Sequence, residues 1–275
     1  MKSALLHRLS LLTLGSVLLF CVSDVDAQIP SFTKSESTEA PVSKEQKASI
    51  ESVIREYLLK NPSIIREAMQ ALQAQEEDQR RLRVANNLKE LRSAIYSDPD
   101  SPIAGNAKAD VTIIVFFDYN CGYCKTTLRA LDALVLKDPA LRVVYKEFPV
   151  LGPQSYLAAK AALAAARQGK YVQFHQALME SQNSDEVAVK SISDQLGLNH
   201  ATLQKDMADP KLNEQLDRNI RLAGSLDING TPAYIIGETI IPGAVDSESL
   251  ARFVTIERSK LKEAIPAKSV IGLKK

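Results

Sequence analysis

The chain has 275 residues, 45% of them apolar, and its 34 Lys and Arg against 33 Asp and Glu leave a formal net charge of +1. That length suits one sizeable domain or two modest ones, each with a core of its own. The near-balanced charge provides no strong field for nucleic acid or an anionic membrane surface, so neither is expected as a partner.

Residues 1–27 differ from the rest. Lys2 and Arg8 give a positive start, Leu9 to Val22 is almost unbroken apolar sequence, and Val25-Asp26-Ala27 closes it with the small-x-small ending of a secretory signal. The apolar run is too short to span a bilayer comfortably. Cys21 lies inside it behind Phe20, where a lipid-attachment site would want a small residue; a buried amino-terminal helix is the competing reading. Cleavage after Ala27 would leave a mature protein with two cysteines, Cys121 and Cys124, in an oxidising compartment, here taken as the periplasm.

Residues 28–42, QIPSFTKSESTEAPV, have no periodicity and read as a flexible leader. Ser43 with Gln46 makes a capping box, and Ile50, Val53, Ile54, Tyr57 and Leu58 follow at helical spacing until Asn61-Pro62. Pro62 suits the first turn of a second helix bearing Ile64, Ile65, Ala68, Met69 and Leu72 on one face. A polar gap, QAQEEDQRR, precedes a heptad-like seam of Val84, Leu88, Leu91 and Ile95. Residues 43–97 are therefore read as a helical stalk. Its apolar stripes either pack on the same chain or pair with copies of themselves, and homo-oligomerisation is the favoured expectation because so short a helical segment buries little surface alone.

Residues 98–265 form the expected main domain, with a tail over 266–275. VTIIVFF at 111–117 reads as a buried central strand, 122–137 as a helix and LRVVYKEF at 141–148 as a second strand. A helical insertion spans about 151–225, with one Ala-rich helix from Ser155 to Met179 and further helices near 185–197, 199–208 and 210–224. AYIIG (233–237) and TII (239–241) form a hairpin around Gly237-Glu238, and a last helix runs from Ser247 to Ala264.

Cys121 and Cys124, in DYNCGYCK, could be a metal grip, a structural staple or a redox pair. A loop this short removes little unfolded-chain entropy, which disfavours the staple. Zinc wants four ligands, and outside the signal the chain adds only His175 and His200, both read as surface residues, so no metal site is expected. At the start of a helix the two sulfurs lie one turn apart, within the reach of a disulfide. The unpaired amides and partial positive charge of the helix end stabilise a thiolate on Cys121, making it the exposed nucleophile and Cys124 the resolving thiol.

Thr231-Pro232, directly before a strand, completes a pattern with the Cys-x-x-Cys. Over residues from about 100 to 265 the chain resembles the thioredoxin superfamily, specifically the DsbA-like thiol:disulfide interchange proteins. The resemblance implies an α/β, thioredoxin-like fold with a helical insertion, preceded by the helical oligomerisation segment. It also implies that Pro232 is cis beside the sulfurs and that Thr231 and Pro232, with Gly122 and Tyr123, contact substrate. Departures matter: Gly122-Tyr123 stands where DsbA oxidases carry Pro-His, and the neutral Tyr123 in place of that histidine suggests a weaker oxidant; Val115 stands where many relatives have an acidic residue as a buried proton acceptor. Asp118, Lys146 and Glu147 are nearby candidates for tuning proton transfer, although charged residues at strand ends are usually solvated. Gly-Tyr and Thr-Pro look like the DsbC-type isomerases. IESVIREYLLKNPSIIREAMQALQ followed by FFDYNCGYC is similar to oligomeric DsbA-like proteins of the ScsC kind, over nearly the whole mature chain.

These readings lead to a periplasmic protein disulfide isomerase working through mixed disulfides at Cys121, with a dithiol oxidase, a bifunctional enzyme or an inert envelope scaffold as alternatives. No cofactor is expected beyond the redox-active Cys121–Cys124 disulfide. Expected partners are unfolded or misdisulfided secreted proteins, a membrane redox partner and copies of the chain as a dimer or trimer.

Overall fold

The structure, a computed structural model, describes residues 42–264. The signal-like segment with Cys21, the leader up to residue 41, residue 265 and the tail lie outside it. By its internal contacts the chain divides between Ile64 and Ile65 into two units.

The first unit holds helix α1 (Lys44–Lys60). Ser43 caps it: its Oγ accepts from the Gln46 N–H, and the Gln46 side chain accepts from the Ser43 N–H at 2.9 Å. Asn61 ends the helix by donating from both its backbone and its side chain to the Tyr57 carbonyl. Ile50, Val53, Ile54 and Tyr57 are all exposed along it.

Helix α2 (Ser63–Glu90) runs without interruption through the stretch read as a polar gap. Its Gln, Glu, Arg and Ala residues are good helix formers even where they make no apolar stripe. A short helix α3 (Arg92–Tyr96) follows. The seam expected to pair between copies instead packs at home: Leu88 and Ile95, with Val84 and Leu91 alongside, join Ile114, Phe116, Val144 and Ile235 in a cluster on one face of the sheet. Heptad spacing is the same whether an apolar stripe faces a second helix or a sheet.

The sheet has five strands in the order β1-β3-β2-β4-β5. They are β1 (Ile103–Gly105), β2 (Val111–Phe117), β3 (Leu141–Glu147), β4 (Ala233–Ile236) and β5 (Thr239–Pro242). Between β2 and β3 runs helix α4 (Gly122–Lys137), and these two strands pair in parallel from Val111↔Leu141 to Phe117↔Glu147. The other neighbours are antiparallel. Strand β1 was not anticipated: three residues carry no readable alternation.

The insertion comprises α5 (Pro153–Arg167), α6 (Tyr171–Glu180), α7 (Glu186–Gln195), α8 (His200–Met207) and α9 (Pro210–Ser225). The single helix expected over 155–179 is two, broken where Gly169 takes φ +71°, a value that glycine adopts freely. The last helix, α10 (Ser247–Ala264), packs against α4 on the face opposite α2.

Candidate active site

Strand β2 is apolar on both faces and ends at Phe117, so residues 118–121 emerge at the carboxyl end of the sheet and lead into α4. Cys121 is the N-cap of α4, with φ −83° and ψ 111°, and its carbonyl accepts the first helical bond from Lys125 at 3.1 Å. Cys124 sits one turn inside. Both are thiols. The Thr231–Pro232 peptide bond is cis, and the Cys121 Sγ donates to the Thr231 carbonyl at 3.2 Å. Residues 110 apart in sequence thus meet at one atom pair, while Tyr123, between the two cysteines in sequence, is 71% exposed.

Cys121 was expected to be exposed; it is 7% accessible, against 2% for Cys124. The first sulfur is largely covered, with the Thr231 carbonyl 3.2 Å from it. Burial pushes the Cys124 thiol far above its ordinary range, with the neighbouring Cys121 adding to the effect. A cavity of about 10 Å³ adjoins it, lined by Val115, Leu128, Leu131, Met179 and Pro232 among others, room for at most one water. Val115 therefore stands in this apolar pocket without a carboxylate to take a proton from Cys124.

Three charged residues read as solvated are buried. Asp118, 1% accessible, accepts from the N–H groups of Asn120, Val150 and Leu151 and from Ser155 Oγ at 2.7–3.0 Å. Asn120 in turn donates to Ser155 and accepts from Ser184. The loop ahead of Cys121 is thereby pinned to the start of α5 and to the segment before α7. Lys146 reaches to the other side of the sheet and donates to the Ala94 carbonyl, Asp98 and Ser101 at 2.7–2.9 Å.

Glu147 points to the insertion side. Its Oε1 accepts from Tyr171 at 2.8 Å and Tyr119 at 3.0 Å, and Tyr119 also meets the His175 Nδ1 at 2.9 Å. With both tyrosines donating to Glu147, the Nδ1 must carry the proton given to Tyr119. His175, expected at the surface, is completely buried between Phe117, Tyr145 and Tyr171. It lies on the same stripe of α6 as Tyr171, Phe174 and Leu178, the periodic signal that would have placed it inside. Lys146 and Glu147 had a similar warning: they continue a strand apolar on both faces, where a charge must find a partner.

A family described as the DSBA-like thioredoxin domain matches residues 112–255, and one described as the Copper resistance protein ScsC N-terminal domain matches residues 46–79. Among solved structures, a thioredoxin-like oxidoreductase from Silicibacter pomeroyi is 41% identical over 61% of this chain and 98% of its own, with a TM-score of 0.60. ScsC of Proteus mirabilis in a transitional conformation is 30% identical over 79% of this chain and 99% of its own, with the same TM-score of 0.60. A periplasmic thioredoxin-like protein of Salmonella enterica serovar Typhimurium is 33% identical over 62% and 96%, TM-score 0.57. Curated relatives are Na(+)/H(+) antiporters, such as NhaA 3 of Salinispora tropica at 26% identity over 161 residues, 57% of this chain; the chain spans about a quarter of their length. Among the described residues no helix is long and apolar enough to cross a membrane. With its Cys-x-x-Cys at a strand-to-helix junction under a cis-proline and the family match spanning 112–255, the chain belongs to the DSBA-like thioredoxin domain family.

Proposed function

We propose that the protein is a periplasmic thiol:disulfide oxidoreductase that isomerises the disulfides of secreted polypeptides. The Cys121 thiolate attacks a substrate disulfide; a new sulfur–sulfur bond joins Cys121 to one substrate cysteine, and the other leaves as a thiolate. Two routes then compete. Cys124 can lose its proton and attack the Cys121 sulfur, releasing substrate as a dithiol and leaving the enzyme oxidised. Alternatively, the freed substrate thiolate attacks a second disulfide in its own chain, and a later substrate thiolate displaces Cys121, with no net electron transfer.

The observation that carries the choice is the setting of Cys124: buried, held protonated and facing a cavity whose lining holds no carboxylate or imidazole to take its proton. A thiol that seldom ionises resolves slowly, which lengthens the life of the mixed disulfide and favours rearrangement. Gly122-Tyr123 places no cation beside the sulfurs that would favour strong oxidation. Location rests on the signal-like first 27 residues and on the likeness to a periplasmic protein. The exposed apolar residues of α1 and early α2 support self-association, as does the ScsC amino-terminal match over 46–79. Refolding of a scrambled multi-disulfide substrate tests the reading: recovery should persist in Cys124→Ser and vanish in Cys121→Ser. Loss of recovery in Cys124→Ser, with oxidation of a reduced substrate by the unaltered protein, would point to a dithiol oxidase.

A further inference from the structure

A groove of about 490 Å³ opens on the α2 side of the sheet, beginning at Thr231 and Pro232. Val84, Ala85 and Leu88 of α2 form one wall, and Ile240 and Pro242 of β5 the other. The rim charges are mixed and partly self-neutralised, since Arg80 pairs with Glu77 and lies 3.5 Å from Asp227. The groove therefore suits a neutral, apolar occupant.

Strand β5 ends the sheet. Its hairpin closes at Ile236↔Thr239, so the alternation of an antiparallel pair turns the N–H and C=O of Ile240 outward, away from its partner Ile235. The Ile240 side chain packs with the cluster containing Leu88 and Val84, on the groove side. An extended segment added along β5 would take two backbone hydrogen bonds at Ile240 and send alternate side chains into the groove. The groove ends at the residue that touches the sulfur: Thr231, Pro232 and Gly243 line it, the Gly243 N–H donates to the Pro232 carbonyl at 2.8 Å, and the Thr231 carbonyl accepts from Cys121 Sγ at 3.2 Å. A polypeptide joined to Cys121 thus passes the end of β5 within a few residues of its cysteine.

We propose that the β5 edge and this groove hold, by strand addition, an extended and alternately apolar stretch of the polypeptide whose cysteine is bonded to Cys121. The proposal rests on the reading of polypeptide disulfides as substrates. It assigns α2 a direct part in recognition.

The test uses the reduced mature protein and stopped-flow rates with three probes. They are glutathione disulfide and two glutathionylated single-cysteine peptides, one flanked by alternating Leu and Thr and one by Gly and Ser, each made with the flank before or after the cysteine. In one flank order the apolar peptide should react about tenfold faster than its Gly-Ser counterpart, a difference of about 1.4 kcal/mol. In Val84→Glu and in Ala85→Arg that ratio should fall to about one, a loss of the same 1.4 kcal/mol. Equal rates for the two peptides in both orders overturn the groove, as does a ratio left intact in both variants. If the unaltered protein fails to react even with glutathione disulfide, the exchange reading itself is overturned.

Discussion

Glu147 and His175 share one buried cluster and are shifted in opposite senses. Burial, only partly offset by the hydroxyls of Tyr171 and Tyr119, pushes the Glu147 carboxyl up to about 8, and burial brings the His175 imidazole down to about 3. Between pH 4.5 and 8 the folded chain keeps a proton on Glu147 that the unfolded chain has lost, so this group makes stability fall as pH rises. Between pH 3 and 6.5 the unfolded chain binds a proton at His175 that the folded chain refuses, so this group makes stability fall as pH drops. The two slopes cancel from about 4.5 to 6.5, leaving a plateau there and a loss on either side. Each is at most about 1.4 kcal/mol per pH unit. Glu147→Gln should flatten the decline between pH 6.5 and 8 and turn the plateau into the His175 slope alone, so that the acid loss begins near pH 6.5 rather than 4.5, read from urea midpoints across pH. Asp118 acts differently, through four donors converging on one carboxylate. Asp118→Asn turns an N–H₂ toward some of those donors and should cost about 2 kcal/mol, visible in thermal unfolding. It should also slow alkylation of Cys121, because the loop that sets the thiol under Thr231 loses its fastening.

At the scale of elements, local pattern carried far and long-range pairing did not. Strands β2 and β3 and helix α4 were legible because β-branched runs and 3.6-residue periodicity are properties of a few neighbouring residues. The Cys-x-x-Cys and Thr-Pro were legible as motifs, but the contact between Cys121 and Thr231 spans 110 residues, and only a resemblance could bring them together. The buried partners were hidden for the same reason: Tyr119 reaches Glu147 across 28 residues and His175 across 56. The edge strand β1 depends on such pairing too, held by the register Gly105↔Arg142. Gly105 takes φ +79°, and a Cβ there would come 2.5 Å from the Leu141 carbonyl oxygen. Gly105→Ala should therefore lower the melting temperature by several degrees, corresponding to about 1–3 kcal/mol, with little effect on exchange at Cys121.

For the whole molecule, the two apolar stripes of the helical region have different fates. Val84, Leu88, Leu91 and Ile95 are spent on the sheet, whereas Ile50, Val53, Ile54 and Tyr57 on α1, and Ile65, Met69 and Leu72 on α2, remain uncovered in a single chain. We propose this concentration of exposed apolar side chains as the surface for self-association. The mature protein should sediment as an oligomer at micromolar concentration, and Ile54→Lys should shift it toward monomer without loss of thiol reactivity; sedimentation velocity of both checks this. The grip of Asp118 on Asn120, Val150, Leu151 and Ser155 has a further consequence for the redox cycle. None of those bonds involves a sulfur, so nothing in the clamp need break when the dithiol closes, and oxidant soaked into crystals of the reduced protein should form the bond in place while the lattice goes on diffracting.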